Sequence, residues 1–285
     1  MQMRSSAYWL LPWLTVAALA GAPAKAADDD AYACAKQSGD AAIAACTRAI
    51  SSGEFGGNEL AEIYLNRAVE YKNKGNLDSA IADYSAAIRV DPKRVAAYYN
   101  RGNALRAKGD LDRAAADYSE AVRLDPNSSR AYNNRGVVWS EKGTADRAIA
   151  DFDEAIRLDP TYAVAYNNRG NAWRTKGDLN RAIGEYDSAL RLDPKYVEAF
   201  DNRGDAFVAK GNFDSAIADY NEAIRLNPRF AKSYYNRGVA REKKSNLVEA
   251  LSDFEAYVQL VPTDPDGPNS VTRVKAELSA MTGKR

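Results

Sequence analysis

The sequence contains no histidine, and with it go the commonest general base and the commonest metal ligand. It has no Gly-rich phosphate loop, no metal-spaced Cys/His set and no nucleophile motif, so neither catalysis nor any metal or other cofactor is indicated. Acidic pairs can be found among 39 Asp and Glu, but the recurring ones stand at repeated positions, which points to structure rather than to acid–base chemistry. The 39 basic residues balance the 39 acidic ones, leaving no global field to hold a nucleic acid by its phosphates. The longest apolar stretch, residues 7–20, is broken by Pro12 and Thr15. At about 14 residues it falls short of the roughly 20 that a spanning helix needs.

That stretch follows Arg4 and precedes Ala24-Lys25-Ala26, the layout of a secretory signal peptide over residues 1–26 cleaved between Ala26 and Ala27. The expected product is periplasmic or secreted, with no stable membrane insertion and no Cys at its new end to carry a lipid. The only two cysteines, Cys34 and Cys46, lie just beyond. In an oxidising compartment they read as a disulfide, and otherwise as two buried thiols.

What the sequence does have is a period. Pro92, Pro126, Pro160, Pro194, Pro228 and Pro262 are each 34 residues apart, without insertion or deletion. Between them two helical patterns alternate. The first carries an aromatic, Asn-Arg-Gly or Asn-Arg-Ala, and a bulky residue one turn on, as in Tyr132, Asn134-Arg135-Gly136 and Trp139. A Lys-Gly turn follows, replaced once by Lys244-Ser245. The second pattern begins near an Asp (Asp78, Asp112, Asp146, Asp214), expected to cap the helix, and places Ala148, Ile149, Phe152 and Ala155 on one face. Proline ends it.

In the fourth unit Tyr166, Gly170, Trp173, Ala182, Tyr186, Ala189 and Pro194 resemble the tetratricopeptide repeat. The resemblance implies an all-α, right-handed α-solenoid of helix-turn-helix units at 61–94, 95–128, 129–162, 163–196, 197–230 and 231–264. Residues 27–58, with Ser51 to Asn58 as a loop, read as an atypical first hairpin. Residues 268–285 read as a terminal cap, in which Ser270 starts a helix with Val271, Val274, Leu278 and Met281 on one stripe. A membrane-surface helix is the other reading of that stripe.

Two features go beyond the general pattern. Arg67, Arg101, Arg135, Arg169, Arg203 and Arg237 are each followed sixteen residues later by an acid: Asp83, Asp117, Asp151, Glu185, Asp219 and Asp253. Pairing within each unit is expected, because a buried guanidinium without a partner is costly; the alternative is that both point to water. Directly before each Arg stands Asn66, Asn100, Asn134, Asn168, Asn202 or Asn236. The resemblance implies a groove lined by first helices, where an amide can grip peptide N–H or C=O; the competing and compatible role is bonding between helices. Selectivity is expected from Tyr99, Asn103, Arg106, Arg130, Asn133, Asn167, Asn171 and Arg174, giving basic spots. Glu198, Asp201 and Asp205 are expected to form an acidic patch. The implied partner is a protein or extended peptide, with end-to-end or side-by-side self-assembly as the rival role.

Overall fold

Glycine and proline set the spacing of the helices. The structure, a computed structural model, describes residues 22–282. The apolar run of the expected signal peptide therefore lies outside the described residues, while α1 (Ala22–Lys36) continues through Ala26 and Ala27. Among the described residues there are 15 α-helices and no strand, in two compact units that divide after Ala97.

In the first unit, α1 packs on α2 (Gly39–Ser52), α2 on α3 (Gly57–Asn73), and α3 on α4 (Leu77–Val90). Cys34, Ala45, Cys46, Ala49 and Ile63 form a small core with Ala31, Ala33, Ile50 and Phe55 against it. The Cys34 and Cys46 sulfurs stand 2.07 Å apart, at bonding distance. The loop expected from Ser51 to Asn58 is shorter than that. Gly53, at φ 72°, supplies the left-handed residue that ends α2, and α3 already begins at Gly57.

The second unit repeats one hairpin. Its helices are α5 (Val95–Ala107, entering from the first unit), α6 (Leu111–Leu124), α7 (Ser129–Glu141), α8 (Ala145–Leu158), α9 (Ala163–Thr175) and α10 (Leu179–Leu192). Then come α11 (Val197–Ala209), α12 (Phe213–Leu226), α13 (Ala231–Lys243), α14 (Leu247–Leu260) and α15 (Asp266–Thr282). From α7 onward each first helix packs on its own second helix, each second helix packs on the next first helix, and neighbouring first helices touch. Close approach within a hairpin depends on a missing side chain. A Cβ on Gly136 would stand 2.7 Å from the Phe152 ring, inside any real contact distance.

Helix starts differ from the expectation. Asp112, Asp146 and Asp214 do not cap; their carboxylates meet Lys142, Lys176 and Lys244, thirty residues on. The caps are two residues earlier, where Asn76, Asp110, Asp178 and Asn212 accept from the backbone N–H of Ser79, Arg113, Arg181 and Ser215. Only the residue flanking the helix can turn its side chain back to the free N–H groups. At the other end the acid before proline holds the exit turn: Asp159 accepts from Thr161 N at 3.0 Å and Asp193 from Lys195 N at 2.9 Å.

Ser270 is likewise not a cap. The last helix starts at Asp266, with Pro268 in its first turn, and Ser270 is buried inside it. Val271, Val274 and Leu278 pack on Leu247, Ala250 and Phe254, whereas Met281, 59% exposed, lies off that contact.

Candidate functional site

The repeated Arg is held three ways. Arg135 Nε and Nη2 bond Asp151 at 2.8 and 2.7 Å, and the same fork joins Arg67 to Asp83, Arg101 to Asp117, Arg203 to Asp219 and Arg237 to Asp253. Arg169 reaches Glu185 through one nitrogen, at 2.7 Å, because the longer acid does not match the fork; its Nε is buried without a partner. Each guanidinium also lies near the aromatic ring three residues earlier, 5.4 Å from Tyr132 in the case of Arg135. The third contact crosses to the previous hairpin. Nη1 of Arg135, Arg169, Arg203 and Arg237 reaches Ser119, Asp153, Asp187 and Asn221, sixteen residues back. This inter-repeat tie escaped the sequence reading, although a polar residue at that phase of every second helix was its visible sign.

On the face made by α5, α7, α9, α11 and α13 a second polar system runs from hairpin to hairpin. Asn134 Nδ2 donates to Tyr99 OH at 2.9 Å and to Asn103 Oδ1 at 3.1 Å. Asn168 Nδ2 donates to Asn133 at 3.0 Å, Asn202 Nδ2 to Asn167 at 2.9 Å, and Asn236 Nδ2 to Asp205 at 2.9 Å. The partner is always 31 or 35 residues earlier, on the neighbouring first helix. Tyrosines from the second helices complete the track: Tyr118, Tyr186 and Tyr220 donate to Asn103, Asn171 and Asp205. Burial pushes all three phenols above their ordinary range.

Several residues expected to touch a ligand are interior. Asn133, Asn167 and Asp201 are 3%, 4% and 1% exposed, because that side of each first helix packs against its neighbour. The expected acidic patch is also neutralised. Lys232 Nζ lies 2.6 Å from Asp201 and 3.1 Å from Asp205, Arg174 lies 3.2 Å from Asp205, and Ser233 donates to Asp201 at 2.7 Å. Burial nevertheless holds the Asp201 carboxyl above its ordinary value, against the lowering by Lys232. Of the expected basic spots, Arg106 is engaged by Glu141 at 2.6 Å, while Arg130 is exposed. Glu198 is exposed as well.

Half-buried Asn168, Asn202 and Asn236 donate inward and keep their Oδ1 atoms without a hydrogen bond among the described residues. The face thus offers a spaced row of amide acceptors. Among the described residues no group of acids and cysteines could hold a metal ion, and no helix is long and apolar enough to cross a membrane.

A model of the tetratricopeptide repeat matches residues 65–129 and 104–163, and a second, described as TPR repeat, matches 170–211 and 204–245. No curated protein matches the chain in sequence. Solved structures do match in fold. A tetratricopeptide repeat protein from Parabacteroides merdae ATCC 43184 aligns with a TM-score of 0.71 at 17% identity, over 90% of this chain and 100% of that one. PilW, a type IV pilus biogenesis factor, gives 0.68 at 20% identity, over 76% and 99% of the two chains. YrrB, a TPR protein with an unusual peptide-binding site, gives 0.50 at 24% identity, over 66% and 96%.

Proposed function

We propose, from the premise that this chain is built of tetratricopeptide repeats, that it is a non-catalytic scaffold holding an extended peptide or partner segment on the first-helix face. The observation that carries the reading is the row of acceptors on Asn168, Asn202 and Asn236. Their donors are consumed within the protein, so a ligand must supply N–H groups, which every residue of an extended peptide except proline does. Such recognition depends on the backbone, with exposed Arg130, Val164 and Glu198 left to select side chains. YrrB and PilW lend support as proteins of this fold with a peptide site and a role in pilus biogenesis, but at these identities they speak for the fold and not for the ligand.

The same proposal places the chain outside the cytoplasm, after cleavage at Ala26/Ala27, in assembly at a bacterial-type envelope. Residues 1–26 and the adjacent sulfurs of Cys34 and Cys46 support that placement. The test is capture of extended peptides by the protein and by the Asn168→Ala, Asn202→Ala, Asn236→Ala variant, with helicity monitored by circular dichroism. Binding lost at least tenfold with the helices retained supports the reading; unchanged binding removes it.

A further inference from the structure

In the first unit the amide track loses its partners. Asn66 holds the same repeat position as Asn134, Asn168, Asn202 and Asn236, and those four donate 31 or 35 residues back. Counting back from Asn66 gives Ala35 and Ala31, neither of which can accept through its side chain. Asn66 accordingly makes no side-chain hydrogen bond among the described residues. Tyr84 suffers the same loss: fifteen residues before it stands Val69, where Tyr118, Tyr186 and Tyr220 find Asn103, Asn171 and Asp205, and its hydroxyl is buried with no partner.

Removing those polar side chains leaves a space. Ala31, Ala35, Phe55 and Ile63 line a cleft of 290 Å³ between α1 and α3, and Asn66 faces into the same cleft. Its floor is continuous with the Cys34–Cys46 core. Its rim is acidic, formed by Asp28, Glu59 and Glu62. Glu62 is paired with Arg94, but Asp28 and Glu59 are exposed and have no ion-pair partner among the described residues. The volume lies just under the range of about 300–1,000 Å³ usual for small-molecule sites, which suits one or two side chains of a peptide.

We propose that this cleft receives a partner peptide through an apolar side chain flanked by basic residues. The alanines and Phe55 take the apolar group, the Asn66 amide bonds the adjacent peptide backbone, and Asp28 and Glu59 pair with the flanking Lys or Arg. The inference rests on the peptide-binding reading and adds to it the class of segment selected. Charge complementarity fixes that class, since two uncompensated carboxylates beside an apolar floor favour a cationic neighbour and repel an acidic one.

A short probe separates this cleft from the long track. Isotope-labelled full-length protein is titrated at low salt with acetyl-Lys-Phe-Lys-amide, acetyl-Glu-Phe-Glu-amide and acetyl-Lys-Ala-Lys-amide, which are too short to span several repeats. Shifts confined to Ala31, Ala35, Ile63 and the Asn66 side chain are expected with the first peptide, and binding at least tenfold weaker with the other two. Glu59→Lys and Ala35→Trp, both at exposed positions, are expected to abolish the response while leaving the helical spectrum unchanged. Equal response to the Lys and Glu peptides, shifts elsewhere, or self-association that covers the cleft without peptide would overturn the proposal. A long peptide that still depends on Asn168, Asn202 and Asn236 would then leave the track reading standing.

Discussion

At the scale of single residues, the Asn-Arg pair divides its work between two sides of one helix. Arg135 ties its own hairpin to Asp151 and the previous one to Ser119, so its removal strands a carboxylate that is 7% exposed. Arg135→Ala is expected to destabilise by about 3 kcal/mol, the lower end of the range for breaking a buried pair, because the Arg itself is partly solvated. A urea midpoint within error of the parent would show that the pair contributes nothing. Tyr84 supplies the pH counterpart. Burial pushes its phenol up to about 12, with the Asp83 charge adding to the shift. The unfolded chain, whose phenols release their protons near pH 10, therefore ionises first. Stability is expected to be intact below pH 10 and to fall as pH rises towards 12, and Tyr84→Phe should lessen the fall; parallel curves for the two proteins between pH 9 and 11.5 would refute it. Both Arg pairing and the Asn row were legible as one-to-one recurrences. The interior place of Asn133, Asn167 and Asp201 was not, because their positions are polar in three consecutive units and a buried polar ladder looks in sequence like a solvated face. The 31- and 35-residue partner spacing held the missing information, since it links neighbouring helices that a single-helix reading treats apart.

At the scale of the element, hairpin ends decide where each helix begins and stops. Five Lys-Gly turns place glycine at positive φ, from 73° at Gly143 to 83° at Gly177, but the last hairpin uses Ser245 at φ 63°. A side chain there is strained by roughly 1 kcal/mol, so Ser245→Gly is expected to raise the stability of α13 and α14 by about that amount, read as slower amide exchange in those two helices. No change would mean that the Ser245 backbone relaxes freely. The turn residues and proline exits could be read directly from the sequence; the caps and the start of α15 could not. An Asp within the first turn satisfies the same dipole argument as a cap two residues earlier, and only the backbone tells them apart. Ser270 looked like a cap, but the helix already starts at Asp266, since proline is tolerated in a first turn where its missing N–H has no helical partner. Cys34 and Cys46 sit in the small core between α1 and α2, and a bond between them would close a short loop across that hairpin. The chain-entropy relation gives about 3 kcal/mol for a loop of that size. Reduction is expected to unfold α1 before the later repeats, with exchange protection at 22–36 lost first; simultaneous loss along the chain would contradict it.

At the scale of the whole molecule, the question is whether the repeats expose an end that invites another copy. The last hairpin has an apolar side formed by Tyr235, Val239, Leu247, Leu251 and Phe254, and α15 covers it with Val271, Val274 and Leu278. The rest of α15 carries Arg273, Lys275 and Glu277, all exposed, and Arg273 and Lys275 are bonded back to Glu242 and Glu255. A terminal element with an apolar inner side and a charged outer side ends a solenoid rather than continuing it. Growth through that end would also have to desolvate Glu277 and the exposed Arg273–Glu242 and Lys275–Glu255 pairs. The parent protein is therefore expected to sediment as one species over a wide concentration range through this end of the fold. Removal of residues 266–285 uncovers Phe254 and Leu247 and is expected to give concentration-dependent association, reversed by Leu247→Lys if the newly bared patch is the contact. Association of the parent protein that persists with α15 in place and is insensitive to salt would favour the self-assembling role instead, because it would have to run through a surface other than the one α15 closes.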